Sequence, residues 1–230
     1  MKRMLVTAAM LAVLVSAAAA KEEMKKMNVA IFVYEGVEIL DFGGPSEVFA
    51  SARLGDTHEN MTRPFNVYTV AVTAAPVMSQ GFITIVPAHT LDNCPQPDII
   101  VLPGGNTGPS VENPRVIAWV QAAAKDDAVL MSVCTGAFIL ARAGLLDGKE
   151  ATTWYGAIDG LKEAAPKTKV HTGTRFVDNG SIVTTAGVSA GIDGALHVVA
   201  RLCGIEAARG VAKYMEYDRW QENAGLVVQR

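Results

Sequence analysis

Five apolar runs punctuate the chain: "NVAIFVY" (28–34), "FNVYTVAV" (65–72), "DIIVLP" (98–103), "AVLMSV" (128–133) and "SIVTTA" (181–186). Such short, nearly continuous apolar runs are the pattern of strands buried on both faces. The segments between them read as helices. "PSEVFASARL" places Pro45 in a first helical turn, "NPRVIAWVQAAAK" offers Asn113 as a cap with Pro114 next, and "SAGIDGALHVVARLCG" follows the fifth run. Strands alternating with helices predict one α/β domain over 28–220 with a mainly parallel sheet. "GFITIVPA" (81–88) predicts a short extra β element near the sheet edge, and "QENAGLVVQR" reads as a C-terminal tail, 221–230.

The N-terminus follows another pattern. Lys2 and Arg3 precede the uncharged "MLVTAAMLAVLVSAAAA", and "KEEMKK" follows. A basic start, a short apolar stretch and an Ala-rich end predict a secretory signal over 1–20, cleaved after Ala20, with 21–27 as a tether. The alternative, a membrane anchor, is disfavoured by a run too short and Ala-rich for a bilayer span. The expectation is therefore a soluble periplasmic or secreted protein with no stable membrane insertion.

Composition narrows the picture further. Half of the 230 residues are hydrophobic, which suits a compact domain with a sizeable core. A net charge of −3 with scattered basic residues lacks the electropositive footprint of a nucleic-acid binder, so none is expected as a partner. Three cysteines, Cys94, Cys134 and Cys203, are too few for a disulfide scaffold, and no CxxC pair is present. No metal-ligand spacing and no dinucleotide fingerprint occur, so neither a metal nor a cofactor is expected.

In sheets of this kind, ligands bind beyond the carboxyl ends of the strands. Four segments fall there: "EGVEILDFGGPSE", "PGGNTGPS", the Cys134-Thr135-Gly136 turn and "GVSAGID". "SVCTGAF" has the layout of a nucleophile elbow, a half match to Gly-x-Ser-x-Gly with Ser132 at the first glycine. A thiol at a helix N-terminus feels the dipole and aligned N–H groups, which favour thiolate. The competing assignment is a buried packing cysteine. Gly104 and Gly105 lack side chains, so their N–H groups can approach developing negative charge, and a tight turn is the simpler use. Asp41 either caps a helix or is a carboxyl facing the cysteine, lifted in pKa by a dry pocket and able to move a proton. Glu35, Glu38 and Glu47 compete for that role. Of the histidines, His58, His89 and His171 lie in connections and His197 among apolar helix positions. A Cys-His pair has no support in the sequence.

Taken together, "ILDFGGPSEVF", "CPQPDIIVLPGG", "VCTGAFILARAGLLDGKEATT" and "TTAGVSAGIDGALHVVARLCG" resemble the ThiJ/PfpI superfamily, most of all its isocyanide hydratases. The resemblance runs from about Asn28 to Tyr217 and extends to the ligand-binding half of AraC-type regulators. It implies a flavodoxin-like sandwich, usually homodimeric, with Cys134 as elbow nucleophile. Asp41 would be its carboxyl partner and Thr135 the threonine that follows the cysteine. Gly104, Gly105, Trp154 and Ser189 would bind substrate or stabilise charge. The implied reaction converts an isocyanide to an N-substituted formamide without a cofactor. Two departures stand out: Thr135 replaces the histidine of protease-like members, and "TTWYGA" puts Trp154 where relatives often carry histidine. The AraC-type relatives continue into a helix-turn-helix domain, and with 230 residues in all, led by an expected export signal, a regulator role is not expected. Two alternatives remain at this stage: a ligand-binding or redox-sensing protein with an oxidisable Cys134, and glyoxalase-like hydration of reactive aldehydes.

Overall fold

The computed structural model describes residues 25–229 apart from positions 56, 58 and 59. The expected signal segment 1–20, most of the expected tether and His58 lie outside the described residues. The first half of the chain forms β1 (Met27–Phe32), α1 (Ile39–Ser51), β2 (Phe65–Ala71), β3 (Val77–Ser79), β4 (Ile83–Ile85), β5 (His89–Thr90) and β6 (Ile99–Leu102). Next come α2 (Gly108–Glu112), α3 (Pro114–Lys125), β7 (Val129–Val133), a 3₁₀ turn at Cys134–Gly136 and α4 (Ala137–Arg142). Then follow β8 (Glu150–Ala151), α5 (Ile158–Ala164), β9 (Lys169–Val170), β10 (Phe176–Asp178), β11 (Ile182–Thr185), α6 (Ala190–Cys203), α7 (Ile205–Tyr214) and β12 (Leu226–Val227).

Eight strands form the main sheet in the order β12-β10-β11-β7-β6-β1-β2-β5. All neighbours pair parallel except β10 with β11. Each strand feeds both faces: in β7, Leu130 enters one core and Met131 the other. On one face α1, α6 and α7 bury Val48, Phe49, Leu196, Val199 and Val211; on the other, α3, α4 and α5 bury Val116, Val120, Ile139, Leu140 and Leu161. Burial of each such side chain contributes about 1.5–3 kcal/mol. This sandwich of helices on both faces of a mainly parallel sheet is the flavodoxin-like arrangement. The chain leaves β1 toward β2 on one side and returns at β6 on the other. That switch point opens a crevice beyond the carboxyl ends of β1, β6, β7 and β11.

Three local expectations change. Helix α1 begins at Ile39, six residues before Pro45, so Pro45 lies inside the helix and Asp41 in its first turn rather than at its cap. The 81–88 segment does hold a short extra strand, β4, but it pairs with β3 in a separate hairpin instead of joining the main sheet, whose edge is β5. The C-terminal segment is not a plain tail, because Leu226 and Val227 pair with β10. Asn113 does cap α3, its side chain accepting the Arg115 N–H at 3.0 Å.

Candidate active site

Cys134 sits at the end of β7 with φ +57°, a strained conformation for a residue with a side chain. The elbow is held by its neighbours. Its N–H donates to the Ala186 carbonyl at 3.0 Å, and the Thr153 hydroxyl donates to the Cys134 carbonyl at 2.6 Å. Gly136 is obligatory here, since a Cβ would lie 1.9 Å from the Leu102 carbonyl oxygen. The thiol is thereby lifted toward the crevice while remaining only 8% exposed.

Asp41 comes from the opposite side of the crevice, on α1, and is fully buried. Its carboxylate accepts the Gly104 N–H on Oδ2 at 2.8 Å and the Val188 N–H on Oδ1 at 3.1 Å, and it is hydrogen-bonded to the Cys134 thiol. Two zipped loops create this meeting. Val37 bridges to Gly105, the Glu38 N–H donates to the Gly104 carbonyl at 2.9 Å, and the Asn106 N–H donates to the Gly36 carbonyl at 3.0 Å. A Cβ on Gly104 would approach Cys134 Cβ to 2.7 Å and Asp41 Oδ2 to 2.8 Å. Gly104 therefore serves close approach. Its N–H is committed to Asp41, which corrects the expectation that it lines an oxyanion site. Gly105 does border the cavity, with its N–H on Thr135 Oγ1 at 3.2 Å.

The cavity beside the thiol measures about 260 Å³ and is lined by Glu38, Gly105, Cys134, Thr135, Trp154 and Val188. Trp154 is seated where two glycines make room: added Cβ atoms would come within 2.5 Å of its ring at Gly156 and 2.4 Å at Gly187. Ser189 is a correction. Its hydroxyl accepts from Arg175 at 3.3 Å and it lines a different, larger cavity with Arg175, Asp193 and Tyr217. The neighbouring Val188 takes the place expected for it. Val188 has φ +55° and turns its N–H onto Asp41. An apolar side chain working through its backbone leaves no signal in the sequence. Thr153 and Glu38 also belong to the site, and Glu38 was among the competitors for Asp41. Of those, Glu35 accepts the Met78 N–H at 2.8 Å and Glu47 is exposed.

The electrostatics reverse one expectation. Burial first, then the Asp41 charge, pushes the Cys134 thiol up to about 12, against hydrogen bonds from the Thr135 N–H and hydroxyl. The helix-end stabilisation of thiolate read from the sequence is outweighed, because a dry pocket disfavours a second negative charge beside Asp41. Burial likewise raises the Asp41 carboxyl from 3.8 to about 6. The Gly104 N–H opposes this and the Glu38 charge adds to it. The pair shares a proton across the neutral range, an arrangement able to pass one between sulfur, carboxyl and a bound molecule. No described histidine joins it. His171 pairs with Glu150 and His197 with Asp178, at 2.5 and 2.7 Å, while His89 packs edge-on against Tyr68.

Comparison with known proteins agrees with this fold. The chain is 32% identical over 192 residues to the isonitrile hydratase of Pseudomonas putida, covering 83% of this chain and 78% of that one. It is 28% identical to the HTH-type transcriptional regulator GbdR of Pseudomonas aeruginosa, but spans only 41% of that protein's length. Among solved structures, a ThiJ/PfpI family protein from Pseudomonas syringae matches with TM-score 0.74 and 30% identity, covering 85% of this chain and 76% of the other. DJ-1beta of Drosophila melanogaster shares the fold, with TM-score 0.70 at 20% identity over 84% of this chain and 98% of its own. A family model described as DJ-1/PfpI matches residues 27–201. That span takes in β1, the Gly104 loop, the cysteine elbow and most of α6, and the chain belongs to the DJ-1/PfpI family.

Proposed function

We propose that this protein is a cysteine-dependent hydratase of a small electrophilic carbon, with isocyanide hydration as the reaction its site fits best. One observation carries the reading: a fully buried Asp41, oriented by two backbone N–H groups, bonded to a thiol at an elbow. In the first step the thiol proton moves to Asp41 as sulfur bonds to the terminal isocyanide carbon. Asp41 then delivers that proton to the same carbon, leaving a thioimidate on Cys134. With its carboxylate restored, Asp41 accepts a proton from water as the water oxygen attacks this carbon, and the proton passes to nitrogen. Collapse breaks the carbon–sulfur bond, the hydroxyl proton returns to sulfur through Asp41, and an N-substituted formamide leaves. Thr135, whose N–H and hydroxyl face the sulfur, steadies the departing thiolate.

The alternatives fare less well. A peroxide sensor needs an accessible, low-pKa thiol, whereas Cys134 is buried and its pKa is raised. Glyoxalase-like and protease-like chemistry through a Cys-His pair finds no histidine in the cavity lining. The similarity to an isonitrile hydratase over most of both chains supports the leading reading. We further propose that the protein is exported after cleavage of residues 1–20 and works as a homodimer. An exported product whose mass begins at Met1, or a monomer by light scattering, would contradict those two points. For the reaction, the purified protein and its Cys134→Ala variant are assayed on an aryl isocyanide by formamide formation. Turnover that depends on Cys134 is expected, and turnover unchanged in the variant refutes the mechanism.

A further inference from the structure

The cavity at Cys134 has a one-sided electrical character. Its lining contains no lysine, arginine or histidine. It contains the Glu38 carboxylate, and behind it lies the Cys134–Asp41 pair with its own acidic group. An anionic molecule entering here meets like charge, and a neutral one gains nothing from it. Trp154 adds a π surface to the same wall, the aromatic ring that best attracts a cation. Tyr155 packs against Trp154, 82% exposed, with ring centroids 4.8 Å apart.

The loop that Glu38 occupies is anchored without its side chain. The hairpin of β3 and β4 is already tied to that loop by the Gly36 N–H on the Met78 carbonyl at 2.7 Å. Two further ties are the Met78 N–H on Glu35 at 2.8 Å and the Ser79 hydroxyl on the Val37 carbonyl at 2.6 Å. The Gln80 side chain donates only to Oε2 of Glu38, and among the described residues Oε1 has no hydrogen bond. Meanwhile the Glu38 charge opposes ionisation of Asp41, a cost that a bound cation would offset.

Resting on the hydratase reading, we infer that the substrate carries a positive charge, an ammonium or protonated amine seated between the Glu38 carboxylate and the Trp154 indole. Recognition then pairs a cation with the acidic wall while the reactive carbon reaches the thiol. Glu38 and Trp154 set specificity; the chemistry stays with Cys134 and Asp41.

The test has a binding arm and a catalytic arm. In the first, iodoacetamide labels Cys134 at mildly alkaline pH, read by peptide mass spectrometry, with phenyltrimethylammonium or benzoate present. Phenyltrimethylammonium is expected to slow labelling by about fivefold or more and benzoate to have little effect. Glu38→Gln, nearly isosteric, should remove most of that protection. Equal protection by both ions, or protection undiminished in Glu38→Gln, overturns the inference. In the second arm, para-trimethylammonium phenyl isocyanide is compared with its neutral para-tert-butyl isostere. The charged compound is expected to show a kcat/KM about tenfold higher, with the ratio falling toward one in Glu38→Gln. A ratio at or below one in the unaltered protein overturns the inference and leaves the hydratase reading standing. If neither compound turns over, the hydratase reading fails, and the labelling arm still decides the charge preference.

Discussion

Replacing Asp41 by Asn separates its chemical role from its structural one. The side chain is fully buried, and its carboxyl is raised from 3.8 to about 6. A lift of about two pH units corresponds to roughly 3 kcal/mol of destabilisation at neutral pH. Folding binds this proton more tightly than the unfolded chain does. The favourable contribution is therefore complete below pH 3.8 and is lost as pH rises through about 6. Asn carries no charge and escapes that loss. Against it, the amide oxygen can serve only one of the two backbone donors, Gly104 or Val188. Losing the other charge-assisted bond costs about 1.5–3 kcal/mol. The two effects nearly cancel at neutral pH, so Asp41→Asn should fold within about 2 kcal/mol of the parent while turnover falls by about 10²–10⁴. Urea denaturation at pH 4 and pH 7.5 reads the first quantity. The parent should lose about 2–3 kcal/mol relative to the variant across that interval. Parallel stability profiles would refute the raised carboxyl, and turnover within tenfold of the parent would reduce Asp41 to a helix-end residue.

Other outcomes follow from single contacts. Alkylation of Cys134 should be slow at neutral pH and climb through the alkaline range. Asp41→Asn should speed it, since the Asp41 charge helps hold the thiol up; unchanged rates would contradict the pairing. Gly136→Ala forces a Cβ to within 1.9 Å of the Leu102 carbonyl and should cost about 3 kcal/mol or more in chemical denaturation. Thr153→Val removes the 2.6 Å bond to the Cys134 carbonyl and should cost about 1–2 kcal/mol with a parallel loss of kcat. Lost stability with kcat unchanged would place Thr153 outside the support of the elbow. Far from the site, Asp178 is buried and accepts from His197 at 2.7 Å and Arg201 at 2.8 Å. Asp178→Ala strands His197 and leaves Arg201 the Gly180 carbonyl, and should destabilise by about 3 kcal/mol while sparing the chemistry of any folded fraction.

Much of the fold could be read before the structure. The five apolar runs became β1, β2, β6, β7 and β11, because a strand covered on both faces has no room for polar alternation. The elbow was legible for a related reason: a cysteine between a buried strand and a helix, with Gly136 two positions on, has few ways to run. What eluded the sequence reading is equally specific. The short edge strand β12 has its pairing partner distant in sequence, and Leu226 means little until it lies beside Val177. Helix α1 was placed six residues late because Pro45 usually opens a helix, whereas here packing against α6 and the sheet tolerates it inside one. The resemblance put Ser189 at the substrate, yet Arg175 claims its hydroxyl and the backbone of Val188 reaches Asp41 instead.

The residue types and their order are enough to specify the strand–helix alternation and to place Cys134 at a strand–helix turn with Asp41 among its candidate partners, because hydrophobic period and turn chemistry are local properties. The protonation of that pair is not local. Burial beneath the crossed loops, the placing of Asp41 against the thiol and the nearness of Glu38 turn a helix-end cysteine into a high-pKa thiol sharing a proton. Those effects depend on the dielectric and on charges brought together across 93 residues of chain, and they exist only once β1, β6, β7 and β11 lie side by side.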